Sequence, residues 1–193
     1  MQSVQMRSRV DDLLRSSPAA ALRVALKIPH PWYRCQSLTE VARRGPGDGE
    51  AILRNALSAA KECHDENRRV VVACWPLREA LQTKCRILAI QIVRYCEGQL
   101  ARDKHPISRW CAAFDLLCTI RKAPHLVRSF YPAFRKATAS GHGWKVDRCL
   151  KYLSEDVVIT GYSAYKTYIE KRVAGIAEWK AWDAHRRAAA RTR

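Results

Sequence analysis

Three stretches of the chain share the pattern H-x-x-x-R: His30-Pro31-Trp32-Tyr33-Arg34, His64-Asp65-Glu66-Asn67-Arg68 and His105-Pro106-Ile107-Ser108-Arg109. A looser fourth copy runs from His142 to Arg148. Apolar segments with helical spacing precede each copy. Self-similarity at a period of about 20–50 residues is typical of stacked helical pairs, because one pair cannot bury its apolar face alone. The pattern therefore predicts a helical-repeat architecture.

Prolines and turn residues divide the chain into helices. A proline is tolerated in the first helical turn, where its missing N–H has no partner in any case, and this predicts helix starts at four prolines: Pro18, Pro31, Pro106 and Pro124. The segment 44–49 is the clearest loop, and Asp48 or Gly49 is expected to cap the helix that follows. Pro76 is expected to stop or kink a helix that begins near Glu66, with a longer helix over 77–100.

The predicted fold is all-α: a right-handed superhelical stack (an α-solenoid) of about nine or ten helices in a single domain, residues 1–193. Residues 1–17 form a capping helix, 18–153 the repeats, 154–185 a long C-terminal capping helix, and 186–193 a basic exposed tail. Val157-Val158-Ile159-Thr160 is the one β-like run, and four residues followed by Gly161 do not make a sheet.

The stretch from Ala21 to Leu38, Ala-Leu-Arg-Val-Ala-Leu-Lys-Ile-Pro-His-Pro-Trp-Tyr-Arg-Cys-Gln-Ser-Leu, resembles one unit of the HEAT and TPR kind of α-solenoid. The resemblance extends over about residues 18 to 153 and is closest in this first unit. The W-x-x-L-G and Y pattern of TPR units is not present as such. The resemblance implies a fold and a binding surface, and it implies no reaction.

The charge of the chain is strongly unbalanced. Lys and Arg number 35 against 18 Asp and Glu, which gives a formal net charge of +17. Such an excess favours an anionic partner, whether nucleic acid, an acidic protein surface or an anionic membrane. The alternative is a solvated basic surface that has no dedicated polyanion.

The N-terminal residues Met1 to Arg7 lack the apolar run of a signal peptide, and the longest apolar stretches are far too short to span a bilayer. We therefore expect a cytoplasmic protein in a reducing compartment, with no membrane partner. The eight cysteines include no C-x-x-C pair and no zinc-finger spacing, so we expect them to be reduced and mostly packed in the core. No metal site and no cofactor are predicted.

Catalytic motifs are absent from the sequence: there is no glycine-rich phosphate loop, no G-x-S-x-G and no H-E-x-x-H. No catalytic residue is predicted, and an active site assembled from distant residues stays open. Four tryptophans that recur near the turns are expected to pack as wedges between the repeats: Trp32, Trp75, Trp110 and Trp144.

Candidate binding residues come from the repeat and from the last helix. Equivalent positions of stacked units project in equivalent directions, so Arg34, Arg68, Arg109 and Arg148 are expected to form a row able to follow phosphates or carboxylates. The alternative is that these arginines pair with acids of neighbouring repeats or with helix C-terminal carbonyls. The basic face of the terminal helix completes the candidate surface: Lys166, Arg172, Lys180, Arg186 and Arg187.

The predicted function is a non-enzymatic helical-repeat binding module that presents a basic surface to a macromolecule with an acidic protein surface. A DNA- or RNA-binding α-solenoid is the alternative. A third hypothesis follows from architecture alone, because the HEAT-like alkylpurine DNA glycosylases are basic helical solenoids that use tryptophans and an acid. No motif of those enzymes maps onto this chain residue by residue.

Overall fold

The computed structural model describes residues 2–45, 47–139 and 144–191, with the side chains of residues 144, 145, 183 and 186–191 outside that description. Within these residues the chain forms eleven α-helices and no strand, which confirms the all-α class. The helices are α1 (Gln2–Ser16), α2 (Pro18–Leu26), α3 (Pro31–Arg44), α4 (Gly49–Lys61), α5 (Glu66–Gln82), α6 (Arg86–Arg102), α7 (Pro106–Ile120), α8 (Pro124–Thr138), α9 (Trp144–Glu155), α10 (Val157–Thr160) and α11 (Ser163–Arg191).

The predicted helix starts at the four prolines are confirmed, because Pro18, Pro31, Pro106 and Pro124 each occupy the first turn of a helix. The fixed φ of proline suits the helix, and the N–H it lacks would have no partner within the helix. Asp48 caps α4 by accepting a hydrogen bond of 3.1 Å from the amide of Ala51. Local sequence signals therefore place these boundaries without help from packing.

The prediction of a helix end at Pro76 and of a longer helix over 77–100 is wrong, because α5 continues through Pro76 to Gln82 and α6 begins at Arg86. The chain turns instead at Lys84, whose φ of +59° lies in the left-handed region. The amide of Cys85 donates to the carbonyl of Ala80 at 2.8 Å. This hydrogen bond is typical of a helix end at which the residue after the C-cap, here Lys84, is left-handed. Glycine usually occupies such a position. Because a lysine stands here, the sequence carries no local signal for this helix end.

The C-terminal region also differs from the predicted boundaries. The segment 154–185 holds the end of α9, the one-turn helix α10 and most of α11, which begins at Ser163. The β-like run is α10, because Asp156 accepts hydrogen bonds from the amides of Val158 and Ile159 and so starts a helical turn. This turn brings the number of helices in the described residues to eleven, against the nine or ten expected.

Helices contact both their neighbours in sequence and their next-but-one neighbours. The odd-numbered helices α1, α3, α5, α7, α9 and α11 touch in that order, and α4, α6 and α8 touch in a second series. The buried side chains of both series form one core, with Leu38, Leu77 and Leu116 fully enclosed in successive odd-numbered helices. This order of contacts is compatible with a helical repeat. Among the described residues, no helix is both long enough and apolar enough to cross a membrane.

Candidate functional site

Three arginines hold the turns between paired helices. Arg34, Arg69 and Arg109 each occupy the fourth position of their helix, in α3, α5 and α7. The guanidinium of Arg34 donates to the carbonyls of Ile28 (3.0 Å) and Pro29 (3.4 Å). Arg69 makes the matching bonds to Cys63 (2.7 Å) and His64 (3.1 Å), and Arg109 donates to Asp103 (3.3 Å). Each arginine therefore folds back and satisfies carbonyls where the preceding helix ends.

These contacts match the alternative that the sequence left open, in which the arginines bind helix C-terminal carbonyls. Arg34 also forms an ion pair with Glu62, so its charge is used within the fold. The matching residue in the second turn is Arg69 and not the predicted Arg68, which is exposed and pairs with Asp65 at 3.2 Å. The arginines of the predicted row are thus divided between structural supports and surface residues.

The remaining predicted residues lie at the C-terminal end of the chain. Arg148 is exposed on α9 and Lys166 is exposed on α11, whereas Arg172 is half-buried on α11. Lys180 pairs with Asp147 of α9 at 3.5 Å. The side chains of Arg186 and Arg187 lie outside the described residues. The row as a whole therefore stays a prediction.

The first half of α11 packs onto the body of the protein. Tyr165 and Ile169 are fully buried, and the Tyr165 hydroxyl donates to the carbonyl of Val127 at 2.9 Å. Further along the helix, Trp179 and Trp182 are more than half exposed. The aromatic residues of α11 are therefore divided, with the tyrosine end anchoring the helix and the tryptophan end reaching into solvent.

A basic cavity lies between two inter-helix turns, and we call it the turn cleft. It encloses about 670 Å³ between the α5–α6 turn and the α7–α8 turn. Its cationic and imidazole side chains are Arg78, Lys84, Arg86, Arg121, Lys122 and His125. Its apolar wall consists of Ala80, Leu81, Ala89, Ala123 and Pro124. Among the described residues that line it, there is no carboxylate.

One cation of the turn cleft is fixed by an acid from outside it. Arg121 donates to Asp156 at 3.0 Å, and the other oxygen of the Asp156 carboxylate caps α10. The ion pair and hydrogen bond with Asp156 raise the pKa of Arg121 above its ordinary value. Of the ion pairs found in the described part of the chain, none reaches Arg78, Lys84, Arg86 or Lys122. The cleft therefore concentrates positive charge that the fold does not neutralise.

A second basic region covers the packed helices α6 and α8. These two helices together carry six Lys or Arg residues and a single acid, Glu97. We call the exposed cations beyond the turn cleft the α6–α8 basic surface: Arg94, Arg102, Arg128, Arg135 and Lys136. Burial raises the pKa of Glu97, while Arg94 nearby lowers it. The surface is thus positive over both helices.

Sequence reasoning missed the turn cleft, although local signals for it exist. Arg121-Lys122 is a short basic cluster before the helix start predicted at Pro124, and Lys84-Cys85-Arg86 is a second one inside the helix predicted over 77–100. The packing of α5 against α7 and of α6 against α8 brings these two turns together. The sequence distance between the clusters gives no sign of that contact.

The cysteines are free thiols, and half of them lie in the core: Cys35, Cys63, Cys74 and Cys96. Burial raises the pKa of the Cys74 thiol to about 12 and raises those of Cys35 and Cys96 as well. A search of the described residues finds no group of three or more His, Cys, Asp or Glu that could hold a metal ion.

Thiol labelling is expected to divide the eight cysteines into two classes. A thiol reagent at neutral pH should modify at most four in the folded protein, because burial blocks access and a raised pKa lowers the thiolate fraction. The accessible four are the half-buried Cys85, Cys111, Cys118 and Cys149. All eight should react in urea, as counted by mass spectrometry. More than four modifications in the folded protein would contradict the packing described above.

The chain matches no known protein family, no curated protein and no solved structure. The resemblance to HEAT and TPR units therefore rests on the pattern of helices and turns within this chain. Function has to be inferred from its charge distribution and its cavities.

Proposed function

We propose that this protein is a non-enzymatic helical-repeat binding module whose α6–α8 basic surface binds an acidic surface of another protein. The observation that carries the proposal is the charge of the two helices beyond the turn cleft: five exposed cations against one acid on elements that pack side by side. Like charges held that close repel one another, and an anionic partner relieves the repulsion. The basic residues stand on helices, so their backbone positions are fixed before binding.

The repeat architecture is part of the proposal. Arg34, Arg69 and Arg109 each donate to a backbone carbonyl six residues earlier, in the turn before their own helix. This recurrence supports a right-handed stack of helical pairs, a solenoid, because each arginine stabilises its turn in the same way. In this arrangement the turn arginines maintain the stack and the exposed cations of the even-numbered helices contact the partner. Arg34 and Arg109 accordingly leave the proposed binding surface, whereas Arg148 and Lys166 are exposed and stay candidates for contact with the partner.

An acidic protein suits this surface better than nucleic acid does, because its aromatic rings are already covered. The guanidinium of Arg135 lies 6.0 Å from the ring centroid of Tyr131 and 5.6 Å from that of Tyr168. Single-strand binding proteins combine cations with aromatic faces on which bases stack. Here the cation occupies those faces, which favours recognition of carboxylates by charge and hydrogen bonds.

The proposal is tested by charge reversal on α8. Arg128→Glu combined with Lys136→Glu should weaken binding of a poly-glutamate peptide about tenfold or more, since both side chains are exposed and belong to the proposed surface. The matched control is Arg9→Glu with Arg15→Glu, which changes the net charge equally on the exposed side of α1. The control should lose about threefold or less at physiological salt.

Two outcomes would overturn the proposal. Equal losses in both double variants would mean that total charge, and not a docking surface, determines binding. Tighter binding of duplex DNA than of poly-glutamate, with a steep salt dependence that shows release of several counterions, would replace the protein partner with nucleic acid.

A further inference from the structure

We infer that the turn cleft is a binding site for a compact anion that carries several phosphate groups. This site is separate from the α6–α8 basic surface and does not depend on the function proposed for it. The cavity of about 670 Å³ falls within the range of about 300–1,000 Å³ that small-molecule sites occupy. Its dimensions suit a ligand the size of a nucleotide or a short phosphate chain, and they are too small for a folded partner.

The charge of the turn cleft selects a multiply charged ligand. Arg78, Lys84, Arg86 and Lys122 surround the cavity, and Arg121 adds a guanidinium that Asp156 holds in place. A single carboxylate would leave most of this charge uncompensated. Guanidinium groups match the oxygens of a phosphate with two parallel hydrogen bonds, and lysine ammonium groups add point charges that follow the phosphate oxygens.

The apolar wall gives the cavity a second kind of contact. Ala80, Leu81, Ala89 and Pro124 can contact a ring or carbon chain, while the cations hold the phosphates. A nucleoside triphosphate and an inorganic phosphate chain share the chemistry that the cations recognise. Only the nucleotide would also use the apolar wall.

Calorimetric titration of the full chain with inorganic tripolyphosphate, adenosine triphosphate and inorganic phosphate tests this inference. Tripolyphosphate should bind at one site per chain, and orthophosphate should bind much more weakly. If the nucleotide binds more tightly than tripolyphosphate, the apolar wall takes part. If the two bind equally, phosphate chains alone are recognised.

The decisive comparison is between two double variants with the same loss of charge. Arg86→Gln with Lys122→Gln removes two cations of the turn cleft and should lower tripolyphosphate affinity about tenfold or more. Arg9→Gln with Arg15→Gln removes two exposed cations from α1, outside both the cleft and the α6–α8 basic surface, and should change the affinity about threefold or less. Circular dichroism and thermal melting of each variant verify that the fold is retained.

Equal losses in the two double variants, or a wild-type titration without a saturable site, would overturn the inference. Its failure is distinguishable from failure of the proposed function. The cleft variants report on tripolyphosphate, whereas the α8 reversals report on poly-glutamate.

Discussion

Trp110→Ala is expected to lower the free energy of unfolding by about 3–5 kcal/mol, the range for removal of a large aromatic side chain from a packed core. Trp110 is fully buried on α7, a helix that contacts α5, α8 and α9. Its ring lies 5.4 Å from that of Phe134 and 6.4 Å from that of Phe114, measured between centroids. Loss of the indole would leave a cavity where four helices meet, and rigid neighbouring helices can close it only in part.

Trp75→Ala is the matched control for this change. Trp75 was expected to be a packing wedge as well, but 38% of its surface is exposed on α5. The same truncation should therefore cost about 1 kcal/mol or less. Urea denaturation followed by far-UV circular dichroism measures both variants, because tryptophan fluorescence would itself be altered. A cost for Trp75→Ala equal to that for Trp110→Ala would show that α7 is not the centre of the core.

The tryptophans show which features of the fold can be predicted from the sequence. All four stand near predicted turns, yet the structure buries Trp110 completely, leaves Trp32 half-buried and exposes Trp75, and the side chain of Trp144 lies outside the described residues. Helix existence follows from local signals, since a proline in the first turn or an aspartate cap acts within a few residues. Burial depends on which helices meet, and local spacing does not determine that.

Boundaries that lack a local signal were the ones predicted incorrectly. The end of α5 depends on a left-handed Lys84 in place of the usual glycine, so Pro76 was the nearest visible breaker. The turn cleft was unpredictable for a related reason. Arg86 and Lys122 belong to different helical pairs, and the packing of α5 against α7 and of α6 against α8 brings them to one cavity.

The pattern H-x-x-x-R found the turn arginine but misplaced it in the second copy. In α3 and α7 the histidine is the N-cap and proline follows, so the arginine is the fourth helical residue. The second copy lacks the proline, and its helix α5 begins one residue later, after Asp65. The fourth helical residue is then Arg69, and Arg68 faces solvent. The sequence pattern therefore identified the correct turn but selected Arg68 in place of the adjacent Arg69.

Arg69→Ala is accordingly expected to lower the free energy of unfolding by about 2–3 kcal/mol, whereas Arg68→Ala should change it by about 0.5 kcal/mol or less. Arg69 donates to two carbonyls of the α4–α5 turn and to Oε1 of Gln99, at 3.2 Å, on α6. Because Gln99 is buried, truncation removes a donor that water can replace only in part. The Arg68 side chain is 60% exposed and pairs only with Asp65 in the same helical turn.

The two alanine variants lose the same charge at adjacent positions, so effects of net charge and of helix propensity cancel between them. Urea denaturation at neutral pH gives both free energies, provided that the slope with denaturant is unchanged. Arg69→Lys should recover only part of the loss, because an ammonium group lacks the planar fork that reaches the carbonyls of Cys63 and His64 together. A larger cost for Arg68→Ala than for Arg69→Ala would reverse the alignment of the turns. Arg68 would then be the residue that stabilises the α4–α5 turn, and Arg69 would be the surface residue.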